Sequence, residues 1–359
     1  MSDEDGKLFI KPCVQAEIDF YESAKRDYPE LAALMPTFMG TLMLTNPAEQ
    51  DLSDAVAGVI SDSGNVKTTK EEIAATVTEQ VKVAVAATEA GAGPEAAKSN
   101  PGEWVPTKGG KIKTDTAVVL GNTAYGFKKP NILDVKLGVR LWADDAAEAK
   151  KIKFDKITQE TTHKNFGFRV AGMRVYRGSE DASELDDEGY RSYDKDYGRN
   201  IVNDANLSSE IRKFVFNSTA GIDEDLGQAV CTAFATTVQD IEDVLVQHET
   251  RMYSASLLFL FEGDGETLRA NIQKNNEVAE AVSTKEGSAA KRIDSGIVLE
   301  DEDVEEEIAE LVESLPPTFA VKLIDFAHAS WVPGEGPDEN MLKGVRSIKD
   351  IFAGLAGDA

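Results

Sequence analysis

Asp134 and Lys136 stand two residues apart in the run Pro130-Asn131-Ile132-Leu133-Asp134-Val135-Lys136-Leu137-Gly138. Apolar residues alternate with the charges. An extended strand would therefore send Leu133, Val135 and Leu137 to one face and both charges to the other. A carboxylate and an ammonium held together on one strand face can share a polyanionic substrate. The plainer reading is a buried strand with one surface ion pair. Pro130 restricts entry to the run and Gly138 permits a sharp exit.

Two further stretches carry chemistry of the same kind. Phe319 to Ile324 is strongly apolar and delivers Asp325 at its end, beside Phe326 and close to His328. A hard carboxylate oxygen so placed can hold Mg²⁺ against ATP phosphates, as the metal-binding aspartate of protein kinases does. Near the start, Lys11 closes a short strand that follows a turn at Gly6. A helix over 15–26 then carries Glu17, with Ile18, Tyr21 and Ala24 along one side. A strand lysine steadied by a helical carboxylate is how kinase-like N-lobes grip phosphates. Asp19 is an alternative partner for that lysine, and a pair of unrelated surface charges is the simpler account.

The elements that must position these residues are readable in outline. Pro36 to Leu42 reads as a turn and a strand, and Thr116 to Leu120 as a β run leading into Gly121-Asn122-Thr123. A helix follows Gly138, with Asp144 or Asp145 as its N-cap, and continues to Ile157. Its lysines, Lys150, Lys151, Lys153 and Lys156, form either a solvated face or a cationic wall for phosphates; Lys153 and Lys156, three apart, can project together. Thr161-Thr162-His163-Lys164 reads as a polar turn and Phe166 to Tyr176 as a strand containing Arg169, which either faces a pocket or salt-bridges its lobe. Residues 177–196 read as an acidic loop closed by Tyr197-Gly198-Arg199. Asn206 or Ser208 caps a helix through Phe214. Leu226, Val230, Phe234, Val238, Ile241 and Leu245 recur every three or four residues and predict a buried helix over 223–250. Cys231 and His248 belong to that scaffold. Ser254 to Asp264 is a strand with a polar entry, where Ser256 is either a ligand neighbour or a backbone-satisfying hydroxyl. A terminal helix opens at Asp338-Glu339-Asn340. Two stretches read as variable: 45–112, with a helical periodicity over 69–90 and no catalytic content, and 265–316, where Glu300 to Glu310 is almost wholly acidic.

Composition sets outer limits. The chain has 359 residues, 42% of them hydrophobic, and a formal net charge of −26. Such a field repels phosphate backbones over most of the surface and argues against direct nucleic-acid binding or adhesion to anionic bilayers, although a local basic pocket is compatible with it. Two cysteines do not make a disulfide framework, no basic N-terminal segment precedes an apolar run, and no run reaches the roughly 18 apolar residues of a membrane span. The expectation is a soluble intracellular protein.

The spacing Pro130-x-x-x-Asp134-x-Lys136-x-Gly138 resembles the signature of the inositol polyphosphate kinases. Asp325-Phe326-Ala327-His328 is characteristic of the same family, and the blocks Gly167 to Met173, Tyr197-Gly198-Arg199, Ser254 to Gly263 and Asp338 with Asn340 are similar to its members. Lys11-Pro12, Glu17 to Tyr21 and Pro36 to Gly40 resemble the N-lobe of fungal multikinases. Nothing like a long regulatory segment precedes Lys11.

The resemblance implies an α+β, two-lobed kinase-like fold, with an antiparallel-sheet N-lobe and a mixed α/β C-lobe. The N-lobe spans 1–123 with the insert 45–112 and a hinge at 120–123; the C-lobe spans 124–359, with an inositol-phosphate-binding segment over 140–165 and the acidic segment over 265–316. It implies ATP and Mg²⁺ as cofactors, with Lys11, Glu17, the hinge residues Leu120 and Asn122, Asp134 and Asp325 around the nucleotide. Relatives generally carry an acid where Gly121 or Asn122 stands. Asp325 is the metal ligand; Asp134, Lys136 and Asp325 are catalytic. Lys136, Lys153, Lys156, Lys164, Arg169 and His328 face the substrate. Asp134 serves the reacting hydroxyl, the ribose, or both. The implied reaction converts inositol tris- and tetrakisphosphates to the pentakisphosphate, and a phosphoinositide headgroup is a further candidate substrate. A dedicated trisphosphate 3-kinase is one alternative. A non-catalytic scaffold that binds transcription-factor or chromatin partners through the acidic segment is another. A monomer in nucleus and cytoplasm completes the expectation.

Overall fold

The computed structural model describes residues 6–43, 114–293 and 315–357. The helical periodicity over 69–90 and the acidic run over 300–310 lie outside the described residues, as does the whole of the stretch 45–112.

Strand β1 (Leu8–Pro12), helices α1 (Gln15–Asp27) and α2 (Pro29–Ala33), and strands β2 (Phe38–Met43) and β3 (Thr116–Gly121) form the N-lobe. Its antiparallel sheet runs β1-β3-β2. Alternation places Lys11 opposite Val118, near the end of β1. Helix α1 buries Ile18, Phe20, Tyr21 and Ala24 at helical spacing, and with them the carboxylate of Glu17.

The C-lobe is built on strand β4 (Pro130–Leu137). After it come α3 (Glu148–Glu160), α4 (His163–Phe166), β5 (Phe168–Tyr176), β6 (Tyr190–Tyr193), α5 (Lys195–Asn200), α6 (Leu207–Val215), α7 (Glu224–Leu245), β7 (Thr250–Met252), β8 (Ser256–Glu262), α8 (Gly265–Ile293), β9 (Phe319–Ile324), β10 (Ala329–Trp331) and α9 (Glu339–Ala356). The five-stranded sheet has the order β6-β5-β4-β8-β9, every pair antiparallel, so β4 sits at its centre. Leu133, Val135 and Leu137 are fully buried on one face. On that side Phe214, Phe234, Phe259, Phe261 and Phe352 join in edge and tilted contacts between α6, α7, α9 and the sheet. The opposite face carries Asp134 and Lys136.

The local readings need several corrections. The helix after Gly138 begins at Glu148 rather than near Asp144, and Ala147 is its uncapped N-terminal neighbour. Asp144 instead pairs with Arg140, whose guanidinium stacks on Trp142. The polar turn 161–164 hides two buried residues, Thr162 and His163, because α4 packs against α3, α9 and β5. The acidic loop contains β6, and Tyr197-Gly198-Arg199 is helical. Residues 265–293, read as variable, form α8. The long helix ends at Leu245, and Asp223 caps it through the Leu226 amide. No helix among the described residues is long and apolar enough to cross a membrane.

Candidate active site

Sheet geometry brings the candidate residues together from opposite ends of the chain. Lys11 on β1 reaches across to Asp325, just beyond β9, with Nζ donating to Oδ1 at 2.7 Å. The same ammonium donates to Glu17 Oε1 at 2.8 Å. Glu17 is buried, and the Phe326 amide also donates to it at 3.3 Å, so its charge has two donors in place of water. Asp19 lies outside this arrangement, bonded to Gln15 on the exposed side of α1. The carboxylate partner of Lys11 on the helix is therefore Glu17.

Lys136 approaches Asp325 from the other side, its Nζ 3.2 Å from Oδ2, and donates to the Ser254 carbonyl at 2.7 Å. Asp325 and Ser254 both have positive φ, 69° and 60°. Non-glycine residues in that region cost roughly 1–3 kcal/mol and persist where surrounding contacts over-determine them. Here the contacts are the two ammoniums on Asp325, and the bonds of Ser254 to Lys136 and to the Leu141 carbonyl. Burial opposes ionisation of Asp325, but Lys136 and Lys11 outweigh it and hold the carboxyl below its ordinary value. Burial likewise opposes the Lys11 charge, and Asp325 with Glu17 raises it nonetheless.

Asp134 has the opposite disposition. Burial pushes its carboxyl up, Lys136 pulls it down, and Asp325 pushes it up again, for a net rise. Its Oδ1 and the neighbouring Ser256 hydroxyl are buried without a hydrogen-bond partner among the described residues. A strand bulge between Asp134 and Val135 separates the register of Asp134 with Gly172 from that of Lys136 with Arg169. Ser256, Lys136 and Arg169 therefore form a row across β8, β4 and β5. Among the described residues Arg169 makes no ion pair: it is buried and donates from Nη1 to its neighbour Val170's carbonyl at 2.7 Å.

Exit from β4 is fixed by two residues. Gly138 has φ 96°, and a Cβ there would stand 2.7 Å from Asn340 Nδ2. Asn340 accepts from the Val139 and Arg140 amides at 2.9 and 2.7 Å and returns a bond to the Arg140 carbonyl. The start of α9 thereby sets where the chain goes after Lys136.

The helical lysines divide. Lys150 Nζ lies 3.0 Å from His328 Nε2, at the edge of the site. Burial, and then Lys150 itself, keeps His328 below its ordinary pKa. Lys153 and Lys156 lie on the exposed side of α3, the latter 3.8 Å from Glu160, and Lys164 is exposed on α4. Of the four lysines, the sequence singled out Lys153 and Lys156, whereas Lys150 is the one that the fold brings to His328. A signal was present: Lys150, Phe154, Ile157 and Thr158 follow the inward stripe of α3, whereas Lys153 and Lys156 do not. In the link between lobes, Leu120 is buried in β3 and Asn122 binds the Gly6 and Lys7 carbonyls, which pins that link to the start of β1.

The sequence from Ala117 to Ala353 matches the family model described as inositol polyphosphate kinase, residues 117–353. The chain belongs to the inositol polyphosphate kinase family. It is 28% identical to an inositol polyphosphate multikinase of Saccharomyces cerevisiae, over 98% of this chain and 94% of that one. It is 24% identical to mouse inositol hexakisphosphate kinase 1, where the match covers 66% of this chain and 50% of the relative. Its fold is similar to the crystal structure of an inositol phosphate multikinase from S. cerevisiae in complex with ADP and Mn²⁺, with a TM-score of 0.57 and 22% identity across 97% of this chain and 99% of the other. The two-lobed α+β architecture of the chain is shared with that structure.

Proposed function

We propose that the protein transfers the terminal phosphoryl group of ATP to ring hydroxyls of inositol tris- and tetrakisphosphates, ending at the pentakisphosphate. The observation that carries this reading is the convergence of Lys11 and Lys136 on the two oxygens of Asp325, with Asp134 two residues from Lys136 on the same strand face. Phosphoryl transfer asks for positioning and charge neutralisation more than for covalent chemistry, and this cluster supplies both.

The donor set suits Mg²⁺. Among the described residues no group of three or more His, Cys, Asp or Glu side chains gathers to hold a metal. Asp325 offers a hard, ionised carboxylate, and Mg²⁺ characteristically takes one or two carboxylates and completes its shell with phosphates and water. Asp325 would hold the ion, whose contribution is to neutralise phosphate charge. Lys11, oriented by Glu17, grips nucleotide phosphates. Lys136 sits between Asp325 and the ring-binding side, where it can follow the transferred group. Asp134, with an unfilled acceptor oxygen and a raised pKa, is suited to accept a hydrogen bond from the reacting hydroxyl; the ribose is the other donor it can serve. Lys150, His328 and Arg169 line the substrate side.

Lys136 and Lys150 hold phosphates through flexible point charges rather than rigid forks, so a ring anchored at one phosphate can re-dock with another hydroxyl forward. Sequential addition at two positions follows, and a phosphoinositide headgroup presents the same chemistry. The test is a time course with inositol trisphosphate, ATP and Mg²⁺, the products separated against positional standards. The expected outcome is a tetrakisphosphate that is consumed as pentakisphosphate accumulates. A single tetrakisphosphate isomer that never proceeds with excess ATP points to a dedicated 3-kinase. No product at high enzyme concentration removes the catalytic reading.

A further inference from the structure

Beside the row Ser256–Lys136–Arg169 lies an arginine that the reaction described so far does not use. Helix α5 rests directly on β5 because residue 198 is glycine: a Cβ there would collide with the Val170 carbonyl oxygen and stand 3.3 Å from Arg169 Nη1. The short helix is anchored at its other side by the Tyr197 hydroxyl on buried Glu210, which Lys213 also binds at 2.8 Å. This close approach brings the residue after Gly198, Arg199, within electrostatic reach of Arg169.

We propose that Arg199 is a phosphate ligand of the inositol phosphate site, forming with Arg169 a two-guanidinium subsite for one ring phosphate. The proposal rests on the inositol phosphate reading above. Arg169 Nε and Arg199 Nε are both buried with no hydrogen-bond partner among the described residues. Leaving a buried donor unpaired is costly, and two such donors on adjacent cations form a place that an anion would complete. The charges around the pair agree. Burial, then Arg199, brings the Arg169 pKa down to about 10, against the opposing pull of Asp134 and Asp196, so it remains a cation at neutral pH. His163, buried against the same group, is held down to about 3 by burial and by Arg169, and contributes no charge there. Asp196 lies 3.6 Å from Arg199 and offsets it in part. Guanidinium forks match phosphate oxygens in pairs, which a lysine at either position would not reproduce.

Binding rather than turnover provides the test. Titration calorimetry with inositol 1,4,5-trisphosphate, and separately with ADP and Mg²⁺, would be run on the full chain and on Arg199→Ala and Arg199→Lys. The expected result is a roughly tenfold weaker Kd for the trisphosphate in Arg199→Ala, a smaller loss in Arg199→Lys, and no change for ADP. Trisphosphate binding unchanged in both variants overturns the subsite. Equal weakening toward both ligands also overturns it, because that is the signature of a merely structural residue. Failure of the unaltered chain to bind trisphosphate sinks the inositol phosphate reading itself, and the subsite with it.

Discussion

Lys11 Nζ lies 2.7 Å from Asp325 Oδ1, a bond between residues 314 positions apart that ties the N-lobe sheet to the end of β9. Lys11 is raised and Asp325 lowered from their ordinary values of 10.5 and 3.8. By linkage, the Lys11 contribution to stability is full below pH 10.5 and is lost as pH rises through its raised folded value. The Asp325 contribution is present above 3.8 and is lost as pH falls through its lowered folded value. Both side chains keep about a third of their surface, so solvent screening holds the stability part small while the positional part remains. Asp325→Asn should lower kcat by roughly a thousandfold or more, as removal of a transition-state charge clamp does. The Tm difference from the unaltered chain should be flat through neutral pH and shrink at both extremes. Near-normal kcat would remove Asp325 from the reaction.

Asp134 presents the contrary case. Its raised pKa means that the folded protein disfavours its charge, so stability rises as pH falls through that value. Asp134→Asn removes the buried charge at constant shape. It should leave Tm unchanged or higher at neutral pH while kcat falls by about a hundredfold or more. Differential scanning calorimetry beside an initial-rate assay would show the split. A drop in Tm together with full activity would mean that the carboxylate is structural.

Much of this site was legible because strand periodicity is strict. A period of two put Asp134 and Lys136 on one face as soon as Leu133, Val135 and Leu137 were assigned to the core, and the sheet confirms that assignment. The apolar run before Asp325 identified β9 by its composition rather than by alternation. What sequence did not show is which strands are neighbours. β4 lies between β5 and β8, and only that order sets Ser256 and Arg169 on either side of Lys136. Nor did spacing choose between Glu17 and Asp19, since the choice depends on which face of α1 meets the loop after β9. Helix starts drifted for a local reason: Asp144 looks like a cap but spends its carboxylate on Arg140.

The loop that carries Asp325 is held by rings. Phe20 on α1 stacks against Phe326 and Trp331, each at 5.1 Å between centroids, and Tyr28 stacks on Trp331 at 3.9 Å. Trp331 Nε1 also donates to the Ser23 hydroxyl at 2.9 Å. Phe20→Ala should cost about 3–5 kcal/mol as a large buried ring is lost. It should also loosen Asp325, because Phe326 is the next residue. Urea unfolding gives the first quantity, and the apparent Mg²⁺ requirement of turnover gives the second. An unchanged metal requirement despite the stability loss would separate the aromatic stack from the site.

The lysines of α3 allow the sharpest test of how the substrate wall is built. Lys150 faces His328 at 3.0 Å, whereas Lys153 and Lys156 project from the exposed side of the helix. Burial lowers the Lys150 pKa with only Asp145 opposing, so its ammonium is less well solvated than an ordinary surface lysine and gains more from an arriving phosphate. Lys150→Ala should therefore raise KM for inositol trisphosphate by about tenfold, the scale of one charge-assisted contact, with KM for ATP unchanged. Lys153→Ala and Lys156→Ala should each shift it by less than about twofold, as expected of exposed charges. His328→Ala would relieve burial and crowding on Lys150 while removing a neighbour that helps orient it, so its effect should be smaller than that of Lys150→Ala. Steady-state kinetics on the four single variants, with both substrates varied, decide the order. If Lys153→Ala or Lys156→Ala raises KM as much as Lys150→Ala, the substrate meets the outer face of α3 and the wall is the full lysine run.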